Sequence, residues 1–245
     1  VFSTAFTDVY RVVATAYTGD VMSTLDTYAR KTISTIPKVA AVFVEPAVAL
    51  DLKGNSFLID GNDHNPDGTA GPEPAVPGIA TLIGSPAGAN QSIILSQIPA
   101  KNYDQVTGQG ASPSLSETAG VDLAGLFDAF KGVKDQTLAP ATYTNPPMGD
   151  YATDDLKVTH VEGDLHLSGV GQGAGVLLID GSLKISGQFT FYGLVLVMGD
   201  ITLVGGGAGV HTFGTVLVGQ SITAIDEIDP ELTVTGNADL FYSSA

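Results

Sequence analysis

The sequence predicts a mainly β protein with helical additions, in which an N-terminal amphipathic helix precedes a C-terminal parallel β-solenoid, or β-helix. Short runs of Val, Leu and Ile separated by glycines recur at a nearly constant spacing beyond residue 156, and this recurrence predicts the solenoid. A stripe of apolar residues at helical spacing predicts the N-terminal helix. The 30 glycines among 245 residues fit a chain that turns sharply many times, and the length suffices to bury a core.

Residues 1–38 are predicted to form the N-terminal helix. Between residues 5 and 36 most apolar side chains are three or four positions apart, which places them on one face of a helix. This stripe consists of Val9, Tyr10, Val13, Tyr17, Val21, Leu25, Tyr28, Ala29, Ile33 and Ile36. Pro37 ends it, since proline lacks the backbone N–H that a helix interior needs. We expect this helix either to cap the solenoid or to contact another subunit.

Residues 39–155 are predicted to be a mixed region of strands and loops with one helix. The runs "AAVFV" and "FLID" predict strands, whereas the polar, Gly- and Pro-rich residues 61–78 predict a loop. Residues 79–110, which include "SIILSQI", are expected to form short strands or turns. A helix is expected near residues 120–135, because five apolar residues there share one helical face. They are Leu123, Leu126, Phe127, Phe130 and Val133.

A repeated phrase dominates the C-terminal part of the chain. "GVLLIDGSLKISG" (175–187) is followed closely by "GLVLVMGDITLVG" (193–205), with glycine at the same three places in both. The segments "GDLHLSG" (163–169) and "GTVLVGQSITAI" (214–225) repeat parts of the same unit. One glycine of each unit recurs at intervals of 18, 18 and 20 residues, namely Gly163, Gly181, Gly199 and Gly219. A period near 20 residues, built from short strands and glycine turns, is typical of a solenoid.

Stacked coils would bury the apolar side chains that a single coil leaves exposed. Successive coils of a solenoid lie about 4.8 Å apart, and each strand pairs with the next. The shared glycine register then predicts one inward ladder, formed by Leu165, Leu167, Leu183, Ile185, Ile201 and Leu203. We assign residues 156–245 to the solenoid and expect it to continue into residues 39–110. The alternative is an antiparallel sandwich in which the glycine spacing is a coincidence.

Charge and composition limit the possible partners. The chain has 26 Asp and Glu against 10 Lys and Arg, a net charge of −16, and its only arginines are Arg11 and Arg30. Nucleic acids and anionic membrane surfaces bind clustered basic residues, so both are poor partner candidates for this chain, whereas divalent cations are better ones. The sequence has no cysteine and hence no disulfide or thiolate site. No apolar run approaches the length of a membrane span.

The most specific local motif is "DGNDHNPDG" at residues 60–68. From Asp63 it has the pattern D-x-N-x-D-G, which supplies oxygen ligands at alternate positions and a glycine for the tight turn of a calcium loop. An EF-hand would have a bidentate Glu at the twelfth position, where this chain has Pro74 preceded by a Glu. We predict an irregular calcium site with the ligands Asp60, Asp63, Asn65, Asp67 and Glu73. An Asx-rich surface turn is the alternative.

Other polar residues in the repeats give weaker indications. His160, His166 and His211 lack a zinc-site spacing and are expected to face solvent or to have hydrogen-bond partners of their own. Asp164 and Asp200 occupy the same place in coils two apart, which would separate them by about 10 Å, just beyond the spacing of paired glycosidase carboxylates. We therefore expect them to be corner residues, and no catalytic residue is predicted.

Four segments of the chain carry a resemblance to known proteins. They are "GNSFLIDGNDHNPDG" (54–68), "QVTGQGASPSL" (105–115), "GAGVLLIDGSLKISGQFTFYGLVLVMGDITLVGGG" (173–207) and "GNADLFYSS" (236–244). Together they resemble a bacterial family of PilX-like, pilus-assembly-associated surface proteins. In that family a largely uncharacterised β-rich domain follows a prepilin-like apolar segment, which is absent here, because residues 5–36 are amphipathic. The resemblance implies a surface or extracellular structural role without established catalysis.

These observations predict a non-enzymatic structural protein outside the cell or on its surface. It would belong to a pilus-like appendage, a filament or an adhesive assembly, stabilised by calcium, and would self-associate into a homopolymer or dock on an appendage. Two other classes stay open. A carbohydrate-active β-helix enzyme would place a polysaccharide along a solenoid groove, and a calcium-dependent binding module would use the motif near Asp63.

Overall fold

The computed structural model contains two separate sheets, one in each of two compact units of the chain. It describes residues 9–18, 21–30, 38–45, 49–54, 56–119, 121–219 and 231–245. The units are Val1–Thr35 and Ile36–Ala245. A two-stranded sheet belongs to the first unit and a 13-stranded sheet to the second.

The first unit contains an antiparallel pair of strands, β1 (Val9–Thr18) and β2 (Val21–Arg30), whose register is continuous over all 10 residues of each. The prediction of a helix over residues 5–36 is therefore wrong for these strands, and the rest of that range lies outside the described residues. The reason is composition, because Val, Thr and Tyr, which favour strands, make up most of β1 and recur in β2 as Val21, Thr24, Thr27 and Tyr28. Gly19-Asp20 between them is a hairpin signature that the helical spacing obscured.

In the second unit, the described residues form thirteen strands and two α-helices. In its first half these are β3 (Val42–Val44), β4 (Ala49–Lys53), β5 (Leu58–Asp60), β6 (Ile79–Leu82), α1 (Ala89–Gln97), β7 (Val106–Thr107), β8 (Leu115–Thr118) and α2 (Leu123–Lys131). They are followed by β9 (Gln136–Leu138), β10 (Ala141–Tyr143), β11 (Lys157–Val161), β12 (Leu165–Ile179), β13 (Leu183–Val197), β14 (Ile201–Val218) and β15 (Glu231–Tyr242). Short 3₁₀ turns occur at Ala100–Gln105 and Tyr151–Thr153.

Helix α2 occurs where the sequence predicts a helix, but α1 lies where short strands or turns were expected. The apolar residues of α1 are consecutive and form no helical stripe, so only Ile94 is buried. A distant residue stabilises its first turn: the Glu117 carboxylate of β8 accepts hydrogen bonds from the backbone N–H groups of Gly88 and Gln91, at 2.6 and 3.0 Å. Such a long-range cap satisfies helix N–H groups without leaving a local sequence signal.

The large sheet is a parallel solenoid. Its strands follow the order β7-β5-β15-β14-β13-β12-β11-β9, and every strand pairing described in it is parallel. Leu183 pairs with Leu165 on one side and with Ile201 on the other, as the glycine register predicts, so the antiparallel alternative is wrong. The early strands join the last coils, since β3 pairs with β14, and β4 and β5 pair with β15.

Two columns of glycine bend β12, β13 and β14 into three faces each. In β12 the first face is residues 165–168, the second 170–174 and the third 176–179, with a glycine after each of the first two. The glycines of the first column pair from coil to coil as far as β15, whereas in the second column Gly214 pairs with Tyr242. At Gly187 a Cβ atom would lie 2.5 Å from the carbonyl oxygen of Gly169, and φ is +116°. Glycine therefore recurs at these corners because such a position leaves no room for a side chain.

The core has two parts. Inside the coils, the predicted inward ladder is buried, and it continues into β15 through Leu232 and Val234. A second cluster covers the outer side of the third face, where Leu196 and its coil neighbours pack with Leu123, Leu126 and Phe127 of α2. Burying each such side chain contributes about 1.5–3 kcal/mol, so the packing of α2 stabilises the outer side of the third face.

Neither α-helix in the described part of the chain has the length and apolar character that crossing a bilayer requires.

Candidate functional site

Asp60, the first residue of the predicted calcium motif, ends strand β5 and is almost fully buried. Its carboxylate accepts hydrogen bonds from the backbone and side-chain nitrogens of Asn62 and from Thr107 Oγ1, at 2.7–3.0 Å. His64 Nε2 lies 2.8 Å from its other oxygen. Burial alone would raise the pKa of Asp60, but these hydrogen bonds outweigh burial and hold the pKa below its usual range.

Asp63 joins the motif loop to the C-terminal residues. Its carboxylate accepts hydrogen bonds from the backbone N–H groups of Glu73 and Ser244 and from the Ser244 hydroxyl, each at 2.8 Å. Burial alone would raise the pKa of Asp63, but these bonds and the charge of Lys38 lower it overall. The sequence reasoning missed this contact, because Asp63 and Ser244 are 181 positions apart.

The remaining predicted ligands each have local partners. Asn65 donates to Thr69 Oγ1 and to the carbonyl oxygen of Ala70, both at 3.0 Å. Asp67 accepts from the backbone N–H and hydroxyl of Thr69. Glu73 pairs with Lys38 at 3.4 Å. Within the residues that the structure describes, no group of three or more His, Asp or Glu is arranged to hold a metal ion. The calcium site stays a prediction.

The three histidines of the repeats lie at separate places. His160 is fully buried, with Nε2 at 3.0 Å from Asp180 Oδ2 and Nδ1 without a hydrogen bond. His166 lies between the hydroxyls of Thr142 and Ser186, at 3.3 and 2.8 Å. His211 Nδ1 lies 3.2 Å from Asp239 Oδ2, and its Nε2 contacts the carbonyl oxygen of Ala208 at 2.7 Å. Each imidazole therefore has a partner of its own.

Asp164 and Asp200 line an open cavity of 470 Å³ at the edge of the first face, together with His166 and Lys184. The coil register places the two aspartates in one column with Ser182 between them. Asp164 Oδ1 accepts a hydrogen bond from the backbone N–H of Ser182 at 2.8 Å, so it connects two coils at the corner.

A column of rings in contact runs along the outside of the second face, and we call it the aromatic column. Its first four rings are stacked, whereas the fifth, His64, is tilted by 50° to Phe241. It runs Tyr151, Tyr192, Phe213, Phe241 and His64, with successive ring centroids 5.0, 5.4, 5.2 and 4.6 Å apart. The sequence reasoning missed it. The available signal was an aromatic residue directly before the corner glycine in two successive coils, as in "FYG" and "TFG".

A cavity of 310 Å³, which we call the corner groove, runs beside the aromatic column. Gly175 and Gly193 of the second glycine column form part of its lining. Its other lining residues are Pro66, Tyr151, Leu156, Lys157, Val158, Val176, Tyr192, Phe213, Ser243 and Ala245. Burial raises the pKa of Tyr192, and Tyr151 and Asp150 raise it further, so this phenol stays neutral well above physiological pH.

Comparison with known proteins gives one structural similarity. No protein-family model matches the chain, and no curated protein sequence matches it. Among solved structures, an ice-binding protein from an Arctic yeast, described for its antifreeze activity, covers 85% of this chain and 92% of its own at 14% identity, with a TM-score of 0.41. At these values the similarity carries no argument about function, and the parallel strand register alone establishes the solenoid here.

Proposed function

We propose that this protein is a non-enzymatic structural component of an extracellular or cell-surface assembly, such as a pilus-like appendage or filament, into which it polymerises. The observation that carries the proposal is the outer edge of strand β9. In the described part of the chain, β9 pairs with β11 on one side only. The opposite end is covered by its own chain, because the backbone of β4 bonds to Gln97 and Asn102 and the carbonyl oxygen of Val106 in β7 accepts from the Ser114 N–H. An unpaired parallel edge is a template for pairing with another chain, and repeated contacts between unlike surfaces generate open filaments.

The way this chain uses its acidic residues supports a structural role. Asp60, Asp63 and Asp164 accept backbone hydrogen bonds that connect turns, coils and the C-terminal residues. A general acid or a nucleophile needs a carboxylate that is free to contact substrate. Both oxygens of Asp60 and both of Asp63 already bond to neighbouring groups, so these two carboxylates stabilise the loop and the C-terminal residues, which suits a structural protein.

The test is to block one end of the sheet without disturbing the core. In a parallel strand, successive N–H groups point to alternate sides, so one of Gln136 and Thr137 directs its N–H away from β11. Substituting each separately by Pro, with Ala as the matched control, should abolish self-association in only one Pro variant. Sedimentation velocity and negative-stain imaging of the full chain measure this. A wild-type protein that stays monomeric at high concentration overturns the proposal.

A second candidate is a carbohydrate-active enzyme, favoured by the open cavity that contains both Asp164 and Asp200. Their separation of about two coil spacings, near 10 Å, slightly exceeds that of inverting glycosidases. Incubation with neutral polysaccharides and measurement of reducing ends tests it. Activity that disappears in both Asp164→Asn and Asp200→Asn, while the melting temperature is retained, would replace the structural proposal with this one.

A further inference from the structure

The corner groove has two different apolar walls and a narrow floor. Aromatic side chains of Tyr151, Tyr192 and Phe213 lie along it together with the aliphatic side chains of Leu156, Val158 and Val176. No side chain can fill its floor at Gly175 and Gly193, because a Cβ atom on Gly193 would lie 2.0 Å from the carbonyl oxygen of Gly175. The groove is therefore a fixed consequence of the solenoid corner.

The stacking geometry decides which ligands the aromatic wall can accept. Tyr192 stacks on Tyr151 on one side and on Phe213 on the other, with interplanar angles of 26° and 12°. The two faces of the Tyr192 ring are therefore occupied by other rings, and its edge is left for a ligand. Phe213 is likewise stacked between Tyr192 and Phe241. A sugar bound by aromatic stacking needs a free ring face, so a slender hydrocarbon fits against Tyr192 and Phe213 better than a pyranose does.

The mouth of the groove is apolar and accessible. Leu156 is 54% exposed and Tyr151 is 44% exposed, although both are large hydrophobic residues. A volume of 310 Å³ lies at the lower end of the range for small-molecule sites, about 300–1,000 Å³. The space suits one slim apolar chain.

The charge of the groove lining also limits which ligands can bind. Lys157 is the one lining residue with a formally charged side chain, and no Asp or Glu occurs among the described residues that line the groove. In a chain with a net charge of −16, this is an unusual surface. The Lys157 ammonium lies 3.0 Å from the half-exposed carboxylate of Asp155. Because an exposed ion pair contributes little to stability, an ammonium in such a pair can also contact a second carboxylate.

We propose that the corner groove binds a single-chain carboxylate amphiphile, a long-chain fatty acid, with its hydrocarbon chain between the two walls and its carboxylate near Lys157. Burial of each methylene contributes about 0.8 kcal/mol, which makes chain length the main determinant of affinity. The ion pair with Lys157 selects the acid over an uncharged analogue. This site is independent of the proposed structural role.

The test is fluorescence titration of the full chain with dansylaminoundecanoic acid, followed by competition with palmitate and with hexadecanol. We expect saturable binding at one site, with palmitate competing better than hexadecanol. Leu156→Asp, which places a carboxylate at the mouth, should weaken binding by about tenfold or more. Val170→Asp is the matched control, because Val170 is 68% exposed and does not line the groove. Lys157→Gln should remove the preference for the acid.

Three results would overturn the proposal. They are no saturable binding below the concentration at which the probe aggregates, equal weakening by Leu156→Asp and Val170→Asp, and an unchanged preference for the acid in Lys157→Gln. Sedimentation with phosphatidylglycerol vesicles distinguishes the source of the acyl chain. Binding to vesicles that palmitate does not compete would assign the surface to a membrane instead of a free fatty acid. Retained circular dichroism shows that each variant is folded.

Discussion

Gly193 lies directly over Gly175 at the second corner of the solenoid, so close that a Cβ atom on Gly193 would be 2.0 Å from the carbonyl oxygen of Gly175. Its φ of +127° is also one that residues with a side chain rarely adopt. The corner combines a backbone requirement with a packing requirement, and both are met only by glycine.

Gly193→Ala should therefore destabilise the protein by about 2–4 kcal/mol, through backbone strain and displacement of the neighbouring coil. Urea unfolding followed by circular dichroism measures this. Gly206→Ala is the control, because no atom lies within 4 Å of the added methyl group. Equal stability of the two variants would show that the corners tolerate side chains.

Leu183→Asp should unfold the solenoid. Leu183 is buried and in register with Leu165 and Ile201, so the new carboxylate would have no partner inside the coils and would cost several kcal/mol. The adjacent Lys184 is exposed, and Lys184→Asp should leave the melting temperature almost unchanged. A native melting transition in Leu183→Asp would contradict the inward ladder.

Acid should weaken the protein partly through Asp60. The hydrogen bonds to Asp60 hold its folded-state pKa below that of an unfolded aspartate, so its contribution to stability is present above the unfolded pKa and is lost as the pH falls through the folded pKa. Asp60→Asn should lower stability near neutral pH and flatten its decline in acid below about pH 5. Asp154→Asn, at an exposed position, is the control. An unchanged pH profile in Asp60→Asn would show that other groups dominate.

Calcium should raise the melting temperature if the loop after Asp60 binds it, because binding to the native state alone stabilises that state. The ion would have to recruit oxygens that now accept hydrogen bonds, such as those of Asp63 and Asp67. Calorimetry at millimolar calcium measures the shift, and Asp63→Ala with Asp67→Ala should abolish it. Magnesium is the matched control ion. No calcium-dependent shift in the wild-type protein would leave the motif as an Asx-rich turn.

The parallel solenoid could be predicted because its cause is local and periodic: the corners of β12, β13 and β14 are formed by glycines, and these recur at a nearly constant spacing. The early strands β3, β4 and β5 pair with coils that follow them by more than 150 positions, and no periodic signal carries such a contact. Helix α1 was missed for the same reason, because its first turn is stabilised by Glu117, a residue outside the helix that no local pattern identifies. The hairpin of β1 and β2 was missed for another reason, since its apolar residues satisfy helical spacing although their types favour strands.

The aspartates of the calcium motif show which features of a site a sequence motif predicts and which it leaves open. Their spacing identifies a turn rich in oxygen acceptors, and the structure contains such a turn. The partners of those oxygens, Thr107 for Asp60 and Ser244 for Asp63, are 47 and 181 positions away. Whether carboxylates converge on an ion or satisfy backbone groups depends on such contacts, which a single sequence does not display.

The last prediction concerns the role of residues 1–35, a compact unit with a sheet of its own. An isolated two-stranded hairpin is marginally stable in water, so β1 and β2 need an additional surface to pack against or pair with. If that surface belongs to another subunit, deletion of residues 1–37 should leave the solenoid folded but abolish self-association. If the hairpin stabilises its own chain, deletion should instead lower the melting temperature. Sedimentation velocity and calorimetry on the same samples separate these outcomes.

The second unit has its own core, formed by strands β3–β15 and helix α2, and this favours a folded truncation. A truncated protein that still polymerises would place the assembly contacts at the solenoid ends alone.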